Sequence, residues 1–370
     1  MGSLTDIISS TSSIENISTE SVKAYEKTKE ILIRDVNNAV LQHPNIDILL
    51  GGNPPELIEN NHLQHAGFML EVMILNDFEL LARTLPWVYR TYHNQGIDFD
   101  YFKIELQAWI NAIEKELSSN QAAPIVALYD WMISQHLSNV ELSKHEESAE
   151  SSEPSPDPWA KAKNGFLVAL NRRDHQKCLE ICQKTLATGI SLPEVFQHIL
   201  YPVMVQVGVR WEDGELSVAG EHEATAIVNK VISGLYFLAE KPQSTHSTVL
   251  VTTIPGERHE MGAWMISICL ELDGWDVIYL GADTPPLDIV DTAEKNAVDL
   301  IALSIAMPFG VSTTRKIIED MRSREAIRSA KIIVGGGLFQ RFPFLTEKLD
   351  IDASFNDCIK ALEWLRKTNG

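Results

Sequence analysis

The chain has 370 residues, 45% of them hydrophobic, and 51 acidic against 31 basic side chains give a net charge of −20. That apolar content supports two or three domains, each with its own core, while the acidic surface repels phosphates and disfavours direct nucleic-acid binding, since no basic patch is concentrated anywhere. The four cysteines, Cys178, Cys182, Cys269 and Cys358, make neither a disulfide framework nor a zinc spacing; no run reaches membrane-spanning length and no leader pattern opens the chain, so a cytoplasmic protein with reduced thiols and no membrane partner is expected.

Residues 1–18 are rich in Ser, Thr, Asn and Ile without a period and are expected to be a mobile arm. A helical N-terminal module follows over 19–140. Its first helix, Thr19 to Leu41, carries Val22, Tyr25, Leu32, Val36 and Ala39 at spacings that share one face. A loop through Gly51-Gly52-Asn53-Pro54-Pro55 leads to a long helix, about Glu56 to Tyr92, which Pro86 should kink or divide. A third helix to about Leu117 and a fourth from Gln121 to His136 complete the module. Ten of the chain's 28 aromatic residues lie between Phe78 and Trp131, which core packing accounts for first and a flat ligand or partner interface second. His62 and His65, one turn apart, could reach a pigment or a metal, though surface histidines are the commoner outcome.

Residues 141–158, charged and rich in Ser and Pro, read as a linker. Over 159–240 four helical segments with short connections, Trp159–Leu170, Asp174–Thr188, Leu192–Trp211 and Val218–Leu238, predict a four-helix bundle. Its last hairpin holds Trp211, nine intervening residues, then Glu221-His222, and can aim an indole and an imidazole at one point. Alone, that spacing is equally a core Trp beside two polar surface residues.

Over 247–370 strands near 248–254, 275–280, 299–304, 331–334 and 352–354 alternate with helices, which predicts a flavodoxin-like, doubly wound five-stranded parallel sheet. The first strand runs into Pro255-Gly256-Glu257-Arg258-His259-Glu260-Met261-Gly262, placing His259 at a strand's carboxyl end, where ligands sit. Glu257, two residues away, can accept a hydrogen bond from one ring nitrogen while the other faces a metal. Gly262 removes a side chain where a broad flat group would need the backbone close. A helix start with an exposed His explains the octapeptide as well, until the spacing is counted. Residues 263 to 303 make 41 positions before Ser304-Ile305-Ala306, and 307 to 334 make 28 before Gly335-Gly336-Gly337, so three strand ends line one crevice. Asp283 and Asp288 follow the second strand, and a capped helix after Pro285-Pro286 explains them.

This constellation resembles the cobalamin-binding domain, with its Asp-x-His-x-x-Gly, Ser-x-Leu and Gly-Gly pattern at these intervals. The resemblance implies that His259 ligates cobalt from below and displaces the dimethylbenzimidazole base, which then runs down a slot beside Ser304, Gly335 and Gly336. Glu257 departs from Asp, and Ala306 from Leu. A bundle ahead of such a domain resembles the cap of methionine synthase and of corrinoid methyl carriers, and Trp-x9-Glu-His resembles the CarH-type photoreceptors that bind adenosylcobalamin. That second resemblance implies that Trp211 packs where the upper adenosyl group lies and that Glu221 and His222 hold it.

CarH-type repressors begin with a MerR-like helix-turn-helix, which this chain replaces by its aromatic helical module, so operator binding is not carried over. Glu212 stands where some relatives have the His that becomes a second axial ligand after light. Photocobilins, which pair cobalamin with a bilin and lack the DNA-binding half, are a related group; the aromatic module leaves room for a bilin as second chromophore, with no residue to place it. The expectation is a cobalamin-dependent light sensor, not an enzyme. Photolysis of the upper ligand would shift the helical cap and alter oligomerisation or binding to another signalling protein. A corrinoid methyl carrier or a non-photochemical cobalamin sensor are the alternatives, and a mutase would need a barrel-sized substrate domain.

Overall fold

The computed structural model describes residues 3–144, 157–240, 242 and 247–368. They form two units, the described parts of Met1–Ser151 with Arg210–Glu215, and of Ser152–Val209 with Leu216–Gly370. Among them, no helix is long and apolar enough to cross a membrane.

The first unit is helical: α1 (Leu4–Ser10), α2 (Thr19–Leu41), α3 (Ile46–Leu49), α4 (Pro55–Leu75), α5 (Phe78–Asn94), α6 (Asp100–Glu116), α7 (Ser119–Ser134) and α8 (His136–Ser143). Ser18 caps α2 by accepting the Ser21 amide, which satisfies one of the four orphan N–H groups at a helix start. Tyr25, Leu32, Val36, Met69, Met73, Trp109 and Ile125 meet in one core.

Three expectations change here. The arm over residues 1–18 contains α1, closed by a Ser3–Asp6 capping box and docked through buried Ile7 and a Trp131 Nε1–Ser10 Oγ hydrogen bond of 3.0 Å. The long helix divides at Asn76-Asp77, not at Pro86. Asn76 takes the left-handed conformation (φ 47°) that Asn tolerates better than most residues, and the Asp77 side chain caps the next helix at Leu80 N, 3.1 Å. Pro86 stays inside α5, where it removes one N–H without ending the helix. His62 is fully buried, not a surface histidine. The aromatic concentration is core: Tyr89 stacks on Phe102 with ring centroids 3.8 Å apart, and Tyr101, Trp109 and Tyr129 are buried.

Of the expected linker, 145–156 lies outside the described residues, while 141–143 belong to α8. The second unit opens with α9 (Ala160–Asn171), α10 (His175–Leu186), α11 (Leu192–Val195), a π-turn over Phe196–Leu200, α12 (Tyr201–Glu212) and α13 (Val218–Leu238). The alternating part follows as β1 (Thr248–Thr253), α14 (Met261–Leu272), β2 (Asp276–Gly281), α15 (Pro286–Lys295), β3 (Leu300–Ser304), α16 (Val311–Ser323), β4 (Lys331–Gly335), α17 (Gly337–Arg341), β5 (Ala353–Phe355) and α18 (Cys358–Thr368).

All strands are parallel in the order β2-β1-β3-β4-β5, the doubly wound order whose ligand crevice opens where β1 and β3 send their chains to opposite faces. Register pairs Thr253 with Ser304, Ser304 with Gly335 and Gly335 with Phe355, so the strand ends stand in a row. A single apolar core joins bundle and sheet, with Val195, Phe196 and Leu235 packed among Ile268, Cys269 and Leu362.

Candidate functional site

The loop between β1 and α14 is held by a chain of hydrogen bonds. Thr253 Oγ1 donates to the Glu257 carbonyl (3.0 Å) and accepts the Asp283 amide (3.0 Å), and Asp283 Oδ1 accepts the Gly256 amide (2.7 Å). Asp283 therefore positions this loop and caps no helix; α15 starts after Pro285 without a side-chain cap. Sequence reasoning missed it because its partner lies 27 residues away. Its left-handed backbone, φ 51°, is the signal that something holds it.

Glu257 is fully buried and all of its acceptor capacity is used. Oε1 accepts from the His259 amide (3.0 Å) and from His259 Nδ1 (2.5 Å), and Oε2 accepts the Ala306 and Met307 amides at 2.8 and 3.0 Å. Burial pushes this carboxyl up, but the His259 hydrogen bond and charge and the Ala306 amide outweigh it and hold it below the usual carboxylate range. Glutamate in place of aspartate thus spans from the β1 loop to the β3 loop and still orients the ring.

His259 donates Nδ1–H to Glu257, which fixes the tautomer and leaves Nε2 as a free lone pair on a side chain that is 63% exposed. The Glu257 hydrogen bond raises its pKa, and the charge of Glu221 on α13 adds to the rise. Ser217 caps α13 by accepting the Gly220 amide (3.1 Å), and Glu221 Oε1 accepts from Thr225 Oγ1 (2.8 Å). His222 lies beside Glu221, with Nε2 3.7 Å from its Oε2, and is largely exposed. Trp211 is half-buried in the last turn of α12 and falls in the first unit, whereas Glu221, His222 and His259 fall in the second.

A narrow slot of about 110 Å³ runs between strand ends and helices, and Gly262, Ser304, Gly335 and Gly336 all line it, while His259 does not. A Cβ on Gly262 would stand 3.4 Å from Ser304 Oγ, so any larger side chain would enter the slot. Gly335 and Gly336 are demanded by crowding as well: a Cβ on either would meet the Phe355 or the Ile305 carbonyl oxygen at 2.5 and 2.3 Å, and Gly336 has φ +102°. Phe196, Tyr201 and Cys358 also line the slot and went unnoticed in the sequence.

These residues fit a corrinoid. One neutral imidazole nitrogen is available for a metal with its other nitrogen tied to a carboxylate, the arrangement typical of histidine ligands. No group of three or more His, Cys, Asp or Glu that could hold a bare metal ion occurs among the described residues.

Residues 247–358 match the B12 binding domain family, and residues 162–236 match a second family described as B12 binding domain. The chain is 27% identical over 207 residues to the HTH-type transcriptional repressor CarH of Myxococcus xanthus, covering 55% of this chain and 66% of that protein. It is 30% identical over 166 residues to dimethylamine corrinoid protein 3 of Methanosarcina acetivorans, covering 44% and 76%. The monomethylamine corrinoid protein structure of Methanosarcina barkeri superposes with a TM-score of 0.50 at 18% identity, over 57% of this chain and 99% of that one, a likeness of fold.

Proposed function

Because this chain belongs to the B12-binding corrinoid proteins, we propose that it is an adenosylcobalamin-dependent light sensor whose helical cap changes state when the upper ligand is lost. The observation that carries the proposal is His259 at the carboxyl end of β1, its Nδ1 tied to buried Glu257 and its Nε2 without a protein partner, in the loop that leads to Gly262 of the slot. Bound there, adenosylcobalamin would supply visible absorption and a photolabile cobalt–carbon bond.

The protein's part is orientation and coupling. His259 offers Nε2 as the lower ligand, and Glu257 keeps the ring from turning. Ser304, Gly262, Gly335 and Gly336 line the slot proposed for the displaced nucleotide without filling it with side chains. Glu221 and His222 would hold the upper group, and Trp211 is assigned to the same group on its spacing from them in the sequence alone. Loss of that packing partner would free the first turns of α13 to shift, and the change would be read out as oligomerisation or contact with a signalling partner. A bilin has no part in this proposal, because the aromatic side chains that left room for one fill the helical core.

The test is an absorption spectrum of the protein with adenosylcobalamin in darkness and after illumination, with gel-filtration elution recorded in both states. A stable dark complex whose spectrum and elution both change in light is expected. The kinship with a dimethylamine corrinoid protein supports a second proposal, a methyl carrier. Binding without any elution change in light, together with methyl transfer from a partner enzyme, would replace the sensor by the carrier.

A further inference from the structure

The slot lined by Gly262, Ser304, Gly335 and Gly336 is not built from the α/β layer alone. The helical run from Leu192 to Glu212 is interrupted by the π-turn over Phe196–Leu200, in which the Tyr201 amide donates to the Phe196 carbonyl five residues back. In a regular α-helix residues five apart point about 140° away from each other, at roughly 100° per residue. The wider turn brings Phe196 and Tyr201 round to the same side, and both rings line the slot, opposite Ala302, Val334 and Phe355. π-turns are uncommon and concentrate at functional sites.

The same segment is tied to the α/β layer on both flanks. Gln197 Oε1 accepts the Cys358 amide (3.3 Å) at the start of α18, and Tyr201 Oη donates to Gln340 Oε1 (2.6 Å) on α17, directly after the glycine triplet. At about 110 Å³ the slot is smaller than the roughly 300 Å³ at which small-molecule sites begin, so a wall must give before an aromatic nucleotide can enter. The wall with an exposed, breakable tie is Tyr201, whose partner Gln340 lies at the surface.

We propose that Phe196 and Tyr201 are tail-recognition residues: the bundle's π-turn forms one wall of the slot for the corrinoid's lower aromatic nucleotide, and the Tyr201–Gln340 hydrogen bond closes the slot over it. This rests on His259 displacing that nucleotide, as set out above. It gives the bundle a role on the lower side of the cofactor, and it makes the ligand class a corrinoid with an aromatic lower base in preference to one without a tail.

The experiment titrates the full chain, by absorbance, with aquacobalamin and with aquacobinamide, which lacks the nucleotide, and follows release of each after dilution into a competing binder. Wild type should prefer aquacobalamin. Tyr201→Ala should cut that preference by about tenfold or more with cobinamide affinity left in place, and Gln340→Ala should speed release of cobalamin several-fold and of cobinamide not at all. A preference that survives Tyr201→Ala overturns the inference while His259 ligation stands. If Tyr201→Ala weakens both ligands together, release decides, and equal cobalamin release from Gln340→Ala and wild type overturns it. A wild type that binds both ligands alike shows that no tail occupies the slot, and the placement of the displaced nucleotide falls with the inference.

Discussion

Glu257 concentrates more of the site in one side chain than any other residue. Its four accepted hydrogen bonds join the histidine to the β3 loop, so Glu257→Ala frees the imidazole to rotate and leaves the Ala306 and Met307 amides without their acceptor. Orphaned buried donors cost about 1–3 kcal/mol each, and losing the carboxylate behind a ligating histidine typically costs about ten- to a hundredfold in metal-centre affinity. Cobalamin titration of Glu257→Ala should show that loss, whereas Glu257→Ala binding as wild type would mean the carboxylate does not orient the ligand.

At Glu105, in the first unit, burial pushes the carboxyl up from 4.5 to about 7. The folded state holds that proton more tightly, so this contribution to stability is full below about pH 4.5 and is lost as pH rises through 7. His62 and His65 act in the opposite sense. Burial lowers them from 6.5 to about 4 and about 3, so their contribution is full above about pH 6.5 and is lost as pH falls toward those values. Glu105→Gln removes only the first effect. It should raise the first unit's melting temperature by several degrees at pH 8 and leave it near wild type at pH 5, in calorimetry at the two pH values.

Elements show where the sequence was legible. The five strands fell within about a residue of expectation because short β-branched runs bounded by turns leave little choice, and the two intervals between strand ends brought Gly262, Ser304 and Gly335 to one crevice. Gly336 is the element-level constraint that follows: Gly336→Ala needs φ +102° and a Cβ 2.3 Å from the Ile305 carbonyl oxygen, so a loss of about 2–4 kcal/mol is expected in urea unfolding.

What stayed hidden has physical causes too. The break at Asn76 depends on a left-handed residue whose side chain holds the Ile17 amide (2.7 Å), 59 residues away. Proline, the louder signal, removed just one hydrogen bond. Asn76→Ala should therefore cost about 1–2 kcal/mol in the same unfolding experiment, more than Pro86→Ala, which only restores a donor. Phe196 and Tyr201 escaped because residues five apart share no face under helical periodicity, and only the π-turn makes them neighbours.

At the scale of the whole chain, the two units have separate cores, one of helices α1 to α8 and one shared by bundle and sheet. Two such cores unfold as a pair of transitions in place of a single cooperative one. The proposed cobalt ligand His259 and the slot lie in the second unit, so cobalamin at about a hundred times its dissociation constant should stabilise that transition by about 2.7 kcal/mol. Scanning calorimetry with and without cobalamin separates the cases; both transitions moving together would mean that the cofactor's energy is shared by the entire chain.

The core common to bundle and sheet also limits what any switch in this protein can be. Peeling the bundle away would wet Val195, Phe196, Leu235 and the apolar faces of α14 and α18, at about 2.5 kcal/mol for every hundred Å² of apolar surface exposed. The cap is in that sense welded along one seam, and its less covered end is the start of α13, where Val218 and His222 meet solvent. The switch proposed above would therefore be a pivot of one helix end, and whatever reads it would have to read the direction of a helix and not the departure of a domain.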